Sequence, residues 1–122
     1  MTQTWILVAD GSNARLFHTV ENDQPWRLAR KLDREHSREK TDRSDSREDR
    51  GEHDFARLLV DELETRRQAG NFERLVIVAP PKFLGQLRGE LKGPLEACVV
   101  RSQSAEYTQM SDAELVTHVD IS

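Results

Sequence analysis

The chain opens on a short unbroken apolar run: "TWILVAD" (Thr4 to Asp10) holds Trp5 to Ala9 in succession and stops at Gly11. A run of this length without alternation fits a strand buried on both faces, so it is predicted to lie centrally in a sheet. "GSNARLFHTV" follows. Gly11, Ser12 and Asn13 are turn formers and Ala14 to Val20 read as a second strand, so the two are predicted to pair as a hairpin. After a second turn, "ENDQP", the stretch "WRLARKL" sets Trp26, Leu28 and, less regularly, Ala29 or Lys31 among charged residues, as in a strand with one wet face.

The pattern then stops. From Asp33 to Phe55 the sequence is "DREHSREKTDRSDSREDRGEHDF", with no apolar group before Phe55 larger than the methyl of Thr41. Periodicity of the helical kind resumes at Phe55, Leu58, Leu59 and Leu63, with Asp54 placed as the cap. Arg66 and Arg67 suit the carbonyl end of that helix, and Gly70 is placed to end it. "RLVIVAPP" (Arg74 to Pro81) predicts a second buried strand, and Pro81 the first turn of a helix bearing Phe83, Leu84, Leu87 and Leu91. "EACVVRS" (Glu96 to Ser102) predicts the last strand, with Leu75–Ala79 and Ala97–Arg101 as parallel neighbours across a right-handed crossover. "SDAE" (Ser111 to Glu114) is a capping box opening a short helix with Leu115, Val116 and Val119 inward. The order is β-β-β-loop-α-β-α-β-α, which predicts an α/β fold: a mixed five-stranded sheet with packed helices.

Length and charge narrow the picture further. At 122 residues the chain suits one domain, 1–122, with a single sizeable core. Its formal net charge of -4 argues against gripping nucleic acid as its main work, although local basic patches are compatible with that total. The single Cys98 excludes an internal disulfide. No leader pattern is legible at the N-terminus and no apolar run approaches the roughly 18 residues of a membrane span, so a cytoplasmic location without membrane insertion is expected.

The charged segment, taken as a disordered loop at about 34–53, is low in complexity, and the nine acidic and six basic residues from Asp33 to Asp54 inclusive should largely neutralise one another. Within it Arg34, Arg38, Lys40, Arg43, Arg47 and Arg50 recur at about three- to four-residue spacing, Arg38 and Lys40 lying two apart. An induced helix would gather them into a stripe for RNA or another acidic partner, diluted by the interleaved carboxylates. A second basic pair, Lys82 and Arg88, follows the carboxyl end of a parallel strand, where open α/β sheets bind ligands and where helix-start amides can hold a phosphate. Pro81 removes one such amide.

Other candidates have plainer readings. His36 and His53 flank the loop and, with Glu52 or Asp54, form a conceivable metal set, but they lack a familiar zinc spacing and read as solvated. Cys98 reads as a small buried thiol, and neither His18 nor His118 has a neighbour that makes it a general base. Asp10 is expected to close the turn after the first strand by accepting backbone amides. No cofactor is implied.

Three phrases carry a family resemblance: "WILVADGSNARLF", "FARLLVDELETRRQAGNFERLVIVAPPKFLGQLRGEL" and "MSDAELVTHV". They resemble the bacterial host attachment proteins, a family similar in turn to the central domain of archaeal and eukaryotic peptide-chain release factors, with its RNase H-like order of strands and helices. In release factors the loop before the first long helix carries Gly-Gly-Gln, which enters the peptidyl transferase centre. The resemblance places the charged segment there. This chain reads Arg50-Gly51-Glu52-His53 at that point, so only Gly51 corresponds and the release motif is lacking.

The resulting expectation is a non-catalytic binding module, with the ribosome or RNA as the implied partner and Arg38, Lys40, Arg43, Arg47, Arg50, Gly51, Lys82 and Arg88 as binding residues. A metal-dependent nuclease or hydrolase is the alternative, since an RNase H-like fold would use Asp10 as a carboxylate ligand. A protein-interaction factor acting on cell attachment indirectly is the third reading.

Overall fold

A computed structural model describes residues 3–20, 26–34, 48–119 and 121, the side chains of 48–50 excepted. Five strands and four helices lie among them: β1 (Gln3–Ala9), β2 (Asn13–Val20), β3 (Arg27–Asp33), α1 (Glu48–Gln68), β4 (Arg74–Ala79), α2 (Pro81–Glu90), α3 (Gly93–Cys98), β5 (Val99–Ser104) and α4 (Asp112–His118). The sheet order is β3-β2-β1-β4-β5. β1–β2 and β2–β3 pair antiparallel, while β1–β4 and β4–β5 pair parallel. The predicted mixed sheet and central first strand are therefore present.

Alternation along β1 and β4 sorts their side chains into two cores, which is why both strands read as unbroken apolar runs. Trp5, Leu7, Ala9, Leu75, Ile77 and Ala79 face one side. There they meet Phe55, Leu59 and Leu63 of α1, Phe83, Leu84 and Leu87 of α2, and Leu95 of α3. Ile6, Val8, Val76 and Val78 face the other side, covered by Phe17, Trp26, Leu115, Val119 and Ile121. Each fully buried Leu or Phe in these sets is worth about 1.5 to 3 kcal/mol over exposure.

Two boundaries and one register differ from a plain sequence reading. The first helix begins at Glu48, so Asp54 is an exposed interior position and not the cap. Apolar spacing locates only the part of a helix that packs, and its polar extension into the expected loop, Glu48 to His53, carries no such signal. Residues 35–47, where disorder was expected, lie outside the described residues. The last strand begins at Val99, because Gly93 (φ 57°) and Pro94 start the short helix α3, anchored by the buried Leu95 and running through Glu96 to Cys98. In β3 a bulge shifts the register: Leu16 pairs with Arg30 and Phe17 with Leu28, leaving Ala29 as the extra residue. That shift is the source of the imperfect alternation in "WRLARKL".

Punctuation follows expectation elsewhere. Gly70 ends α1 at φ 80°, Pro81 lies in the first turn of α2, and Ser111 and Glu114 cap α4 reciprocally. Cys98 is half-buried against the first core, less enclosed than its sequence context suggested.

Candidate functional site: a clasp beneath the charged segment

The hairpin turn after β1 organises this end of the molecule. Asp10 Oδ1 accepts the backbone N–H groups of Ser12 and Asn13, both at 2.8 Å, as its position before three turn formers predicted. Its second oxygen accepts the Thr108 hydroxyl at 2.6 Å. The carboxylate is thereby committed to closing a turn and holding a distant segment. Among the described residues no group of three or more His, Cys, Asp or Glu converges in a metal-binding arrangement.

Both ends of the charged segment meet on that turn. The Arg34 amide donates to the Ser12 carbonyl at 2.9 Å, and its guanidinium donates to the Gly11 carbonyl, also at 2.9 Å. From the other end, Glu52 lies so close over Gly11 that a Cβ there would come within 2.6 Å of Glu52 Oε2. A Cβ on Gly51 would lie 3.0 Å from the Arg34 guanidinium. Arg34, Gly51 and Glu52 are thus brought together at the carboxyl end of β1.

A second set of contacts fastens the chain between β5 and α4 across the same end of the sheet. Ala105 N–H donates to the Ala79 carbonyl at the end of β4, and Thr108 reaches Asp10 at the end of β1. The Arg15 guanidinium then donates to the carbonyls of Thr108 (3.0 Å) and Met110 (2.7 Å) and to Asp112 Oδ1 (2.6 Å). This strap crosses the ends of β4 and β1, where open α/β sheets ordinarily take ligands.

The expected binding residues fall in different places. Arg38, Lys40, Arg43 and Arg47 lie outside the described residues, as does His36. Arg50 is in α1, and Gly51 is part of the clasp. Lys82 is exposed in the first turn of α2, and Arg88 is exposed in its last, with Nη1 3.4 Å from Ser102 Oγ. Six residues apart on a helix means about 120° of rotation and about 9 Å of rise, so these two cations do not share one face. His53 pairs with Glu90 at 3.2 Å, and the same carboxylate lies 3.8 Å from Arg57, joining α1 to α2.

Sequence reasoning took Arg34 only as one member of a basic series, took Glu52 only as a conceivable metal partner and as a departure from the release motif, and did not single out Arg15 or Thr108. The Arg15 and Thr108 contacts span more than ninety positions, and no local pattern encodes them. At the opposite end of the sheet His18 stacks on Trp5, and burial, followed by the charges of Arg27 and Arg66, holds its pKa below the ordinary imidazole value. Glu64 is lowered to about 2, chiefly by the Arg67 guanidinium and then by the Gln68 amide.

Residues 33–119 match the family described as "Protein required for attachment to host cells", and the chain belongs to that family. The match begins at Asp33, so the opening phrase "WILVADGSNARLF" lies before it. No curated protein sequence matches the chain. Among solved structures it is similar to the archaeal translation termination factor aRF1, with a TM-score of 0.56 and 10% identity over 95% of this chain and 37% of that one. A structure described as an archaeal protein gives 0.58 and 12% over 98% and 34%. Dom34 of S. cerevisiae, a translation termination-like factor involved in RNA quality control pathways, gives 0.50 and 11% over 87% and 30%. The chain spans about a third of each of these proteins, and the likeness is one of fold.

Proposed function

We propose that this protein is a non-catalytic binding module that associates with ribosomal particles or RNA through the charged segment between Arg34 and Gly51. The observation that carries this reading is the clasp. Arg34 and Glu52, which bound the segment, both meet the Gly11 turn, so its two ends are held at one place on the fold. Segment closure is already provided by the fold, which reduces the ordering cost that a partner must meet. The release-factor resemblance supports the same position as the functional one, while the reduction of its motif to Gly51 favours recognition over peptide release.

The commitment of Asp10 to Ser12, Asn13 and Thr108 supports a binding role over a metal-dependent nuclease. Ultraviolet crosslinking in cells tests the proposal. Recovery of ribosomal RNA joined to peptides from the charged segment is the expected result. Absence of crosslinked RNA, or divalent-dependent cleavage of RNA that Asp10→Asn abolishes, overturns it.

A further inference from the structure

The bulge in β3 does more than irregularise a strand. Residues three apart on an ordinary strand point to opposite faces, yet here Arg27 pairs with His18 and Arg30 with Leu16. Leu16 belongs to the core beneath α1, and Arg30 reaches Glu62 of α1 at 3.1 Å, so this is the helix-covered face. His18, Arg27 and Arg30 therefore stand on one face at the open edge of the sheet.

A fourth group joins them from the helix. The Trp5 ring stacks against His18 with centroids 5.5 Å apart, and the Arg66 guanidinium lies 5.3 Å from the same tryptophan's centroid. Trp5 is itself held by a hydrogen bond from its indole N–H to the Asn71 carbonyl at 3.1 Å. His18 and Arg66 thus meet the Trp5 ring directly, and Arg27 and Arg30 stand beside them on the neighbouring edge strand. Glu62 answers two of the arginines, Arg30 at 3.1 Å and Arg66 at 2.8 Å, while Arg27 is exposed and makes no salt bridge among the described residues. The pKa of His18 is held down first by burial and then by the neighbouring charges of Arg27 and Arg66.

We infer that the face formed by His18, Arg27, Arg30 and Arg66 is a docking surface for the phosphate backbone of RNA. The inference rests on the proposed function and adds a second contact region, at the end of the sheet opposite the clasp. Charge complementarity carries it: the chain as a whole is at -4, so three guanidinium groups against one carboxylate on a single face are where a polyanion is attracted and oriented. Arginine matches phosphate through its planar fork of donors, and Glu62 restricts the positions of Arg30 and Arg66, the latter also held over Trp5. The competing role for basic residues on β3 is protection of a sheet edge from self-association.

Anisotropy of a labelled polyuridylate oligomer, titrated with the full chain over a range of salt, separates these roles. The variant Arg27→Gln with Arg30→Gln is expected to bind about tenfold more weakly, with the slope of log K against log salt reduced by roughly 1.4, or about 0.7 for each lost phosphate contact. Unchanged affinity and slope in that variant, with or without new aggregation, overturns the inference. The variant carrying Arg38→Gln, Lys40→Gln, Arg43→Gln and Arg47→Gln tests the charged segment by itself. If it alone loses binding, the proposed function stands and the sheet-face contact falls. If the intact protein binds no oligomer, both fall. Equal binding of oligothymidylate retains the phosphate contact and removes RNA as its particular source.

Discussion

The Arg34 guanidinium donates to the Gly11 carbonyl at 2.9 Å, which fastens the residue opening the charged segment to the turn between the first two strands. Glu52 packs onto the same glycine from the other end. The two residues that bound the segment are therefore part of the folded body.

Gly11→Ala tests that closure. The new methyl would stand 2.6 Å from Glu52 Oε2, so the Glu52 side chain must swing away. Because a side chain and not backbone gives way, a loss of about 1 kcal/mol is expected, at the low end of overpacking costs. In a Glu52→Ala background the same substitution should cost close to nothing. Denaturant midpoints of the four proteins in this cycle measure the coupling, and purely additive losses would show that the two residues do not meet.

Arg15 is the fastening of the strap. Its side chain is mostly buried and makes three hydrogen bonds, two of them to backbone carbonyls that water would otherwise serve. Arg15→Ala is expected to lower stability by about 2 to 3 kcal/mol, in the range for bonds involving a charged donor. Asp112→Ala should cost only about 0.5 kcal/mol, since that carboxylate is 56% exposed. Urea unfolding distinguishes them, and equal losses would mean that the salt bridge, and not the carbonyl contacts, holds the strap.

Helix punctuation supplies a third pair of outcomes. Gly70 adopts φ 80° with open space around it, so Gly70→Ala meets no clash and registers backbone strain alone, about 1 kcal/mol. Ser111→Ala removes the side-chain half of the α4 capping box and should cost about 1 kcal/mol as well. Thermal unfolding of each single variant and of the pair should give nearly additive shifts, since the two sites share no contact.

Acidification should weaken the fold through His18. Its folded pKa is depressed, so as pH falls through the unfolded value of 6.5 the unfolded chain takes up a proton that the native state resists. Stability therefore declines as pH falls through that window and levels off below the folded pKa. His18→Gln should remove this part of the pH dependence, measured as the urea midpoint by tryptophan fluorescence; an unchanged slope would assign it elsewhere. Glu64 acts at lower pH. Its contribution is complete above the unfolded value of 4.5 and disappears as pH falls toward about 2.

Much of the architecture was legible in the sequence because each element stated its own burial. Ile6 to Ala9 and Leu75 to Ala79 had to be covered on both sides, and Gly70, Pro81 and Ser111 marked boundaries by their backbone chemistry. The polar start of α1 was not legible, since a solvated helical turn has no apolar period. Nor was the helix from Gly93 to Cys98, where Pro94 and Leu95 outweighed the strand preference of the residues that follow. Of the candidate site, Asp10 was read correctly as a turn closer from its three neighbours. Arg15 and Thr108 were invisible because their meaning depends on which strand ends lie side by side, and the Arg27–Arg30 face because one bulge reverses the ordinary alternation.

Sedimentation with purified ribosomal particles at low and moderate salt tests the central claim most directly, comparing the intact protein with the variant in which Arg38, Lys40, Arg43 and Arg47 are replaced by glutamine and the Arg34 clasp is kept. The intact protein should travel with the particles at low salt and be released as salt rises, while the variant stays at the top of the gradient with its fold unchanged. Equal behaviour of the two proteins, whether both bound or both free, would contradict the claim that the clasped charged segment is the recognition element.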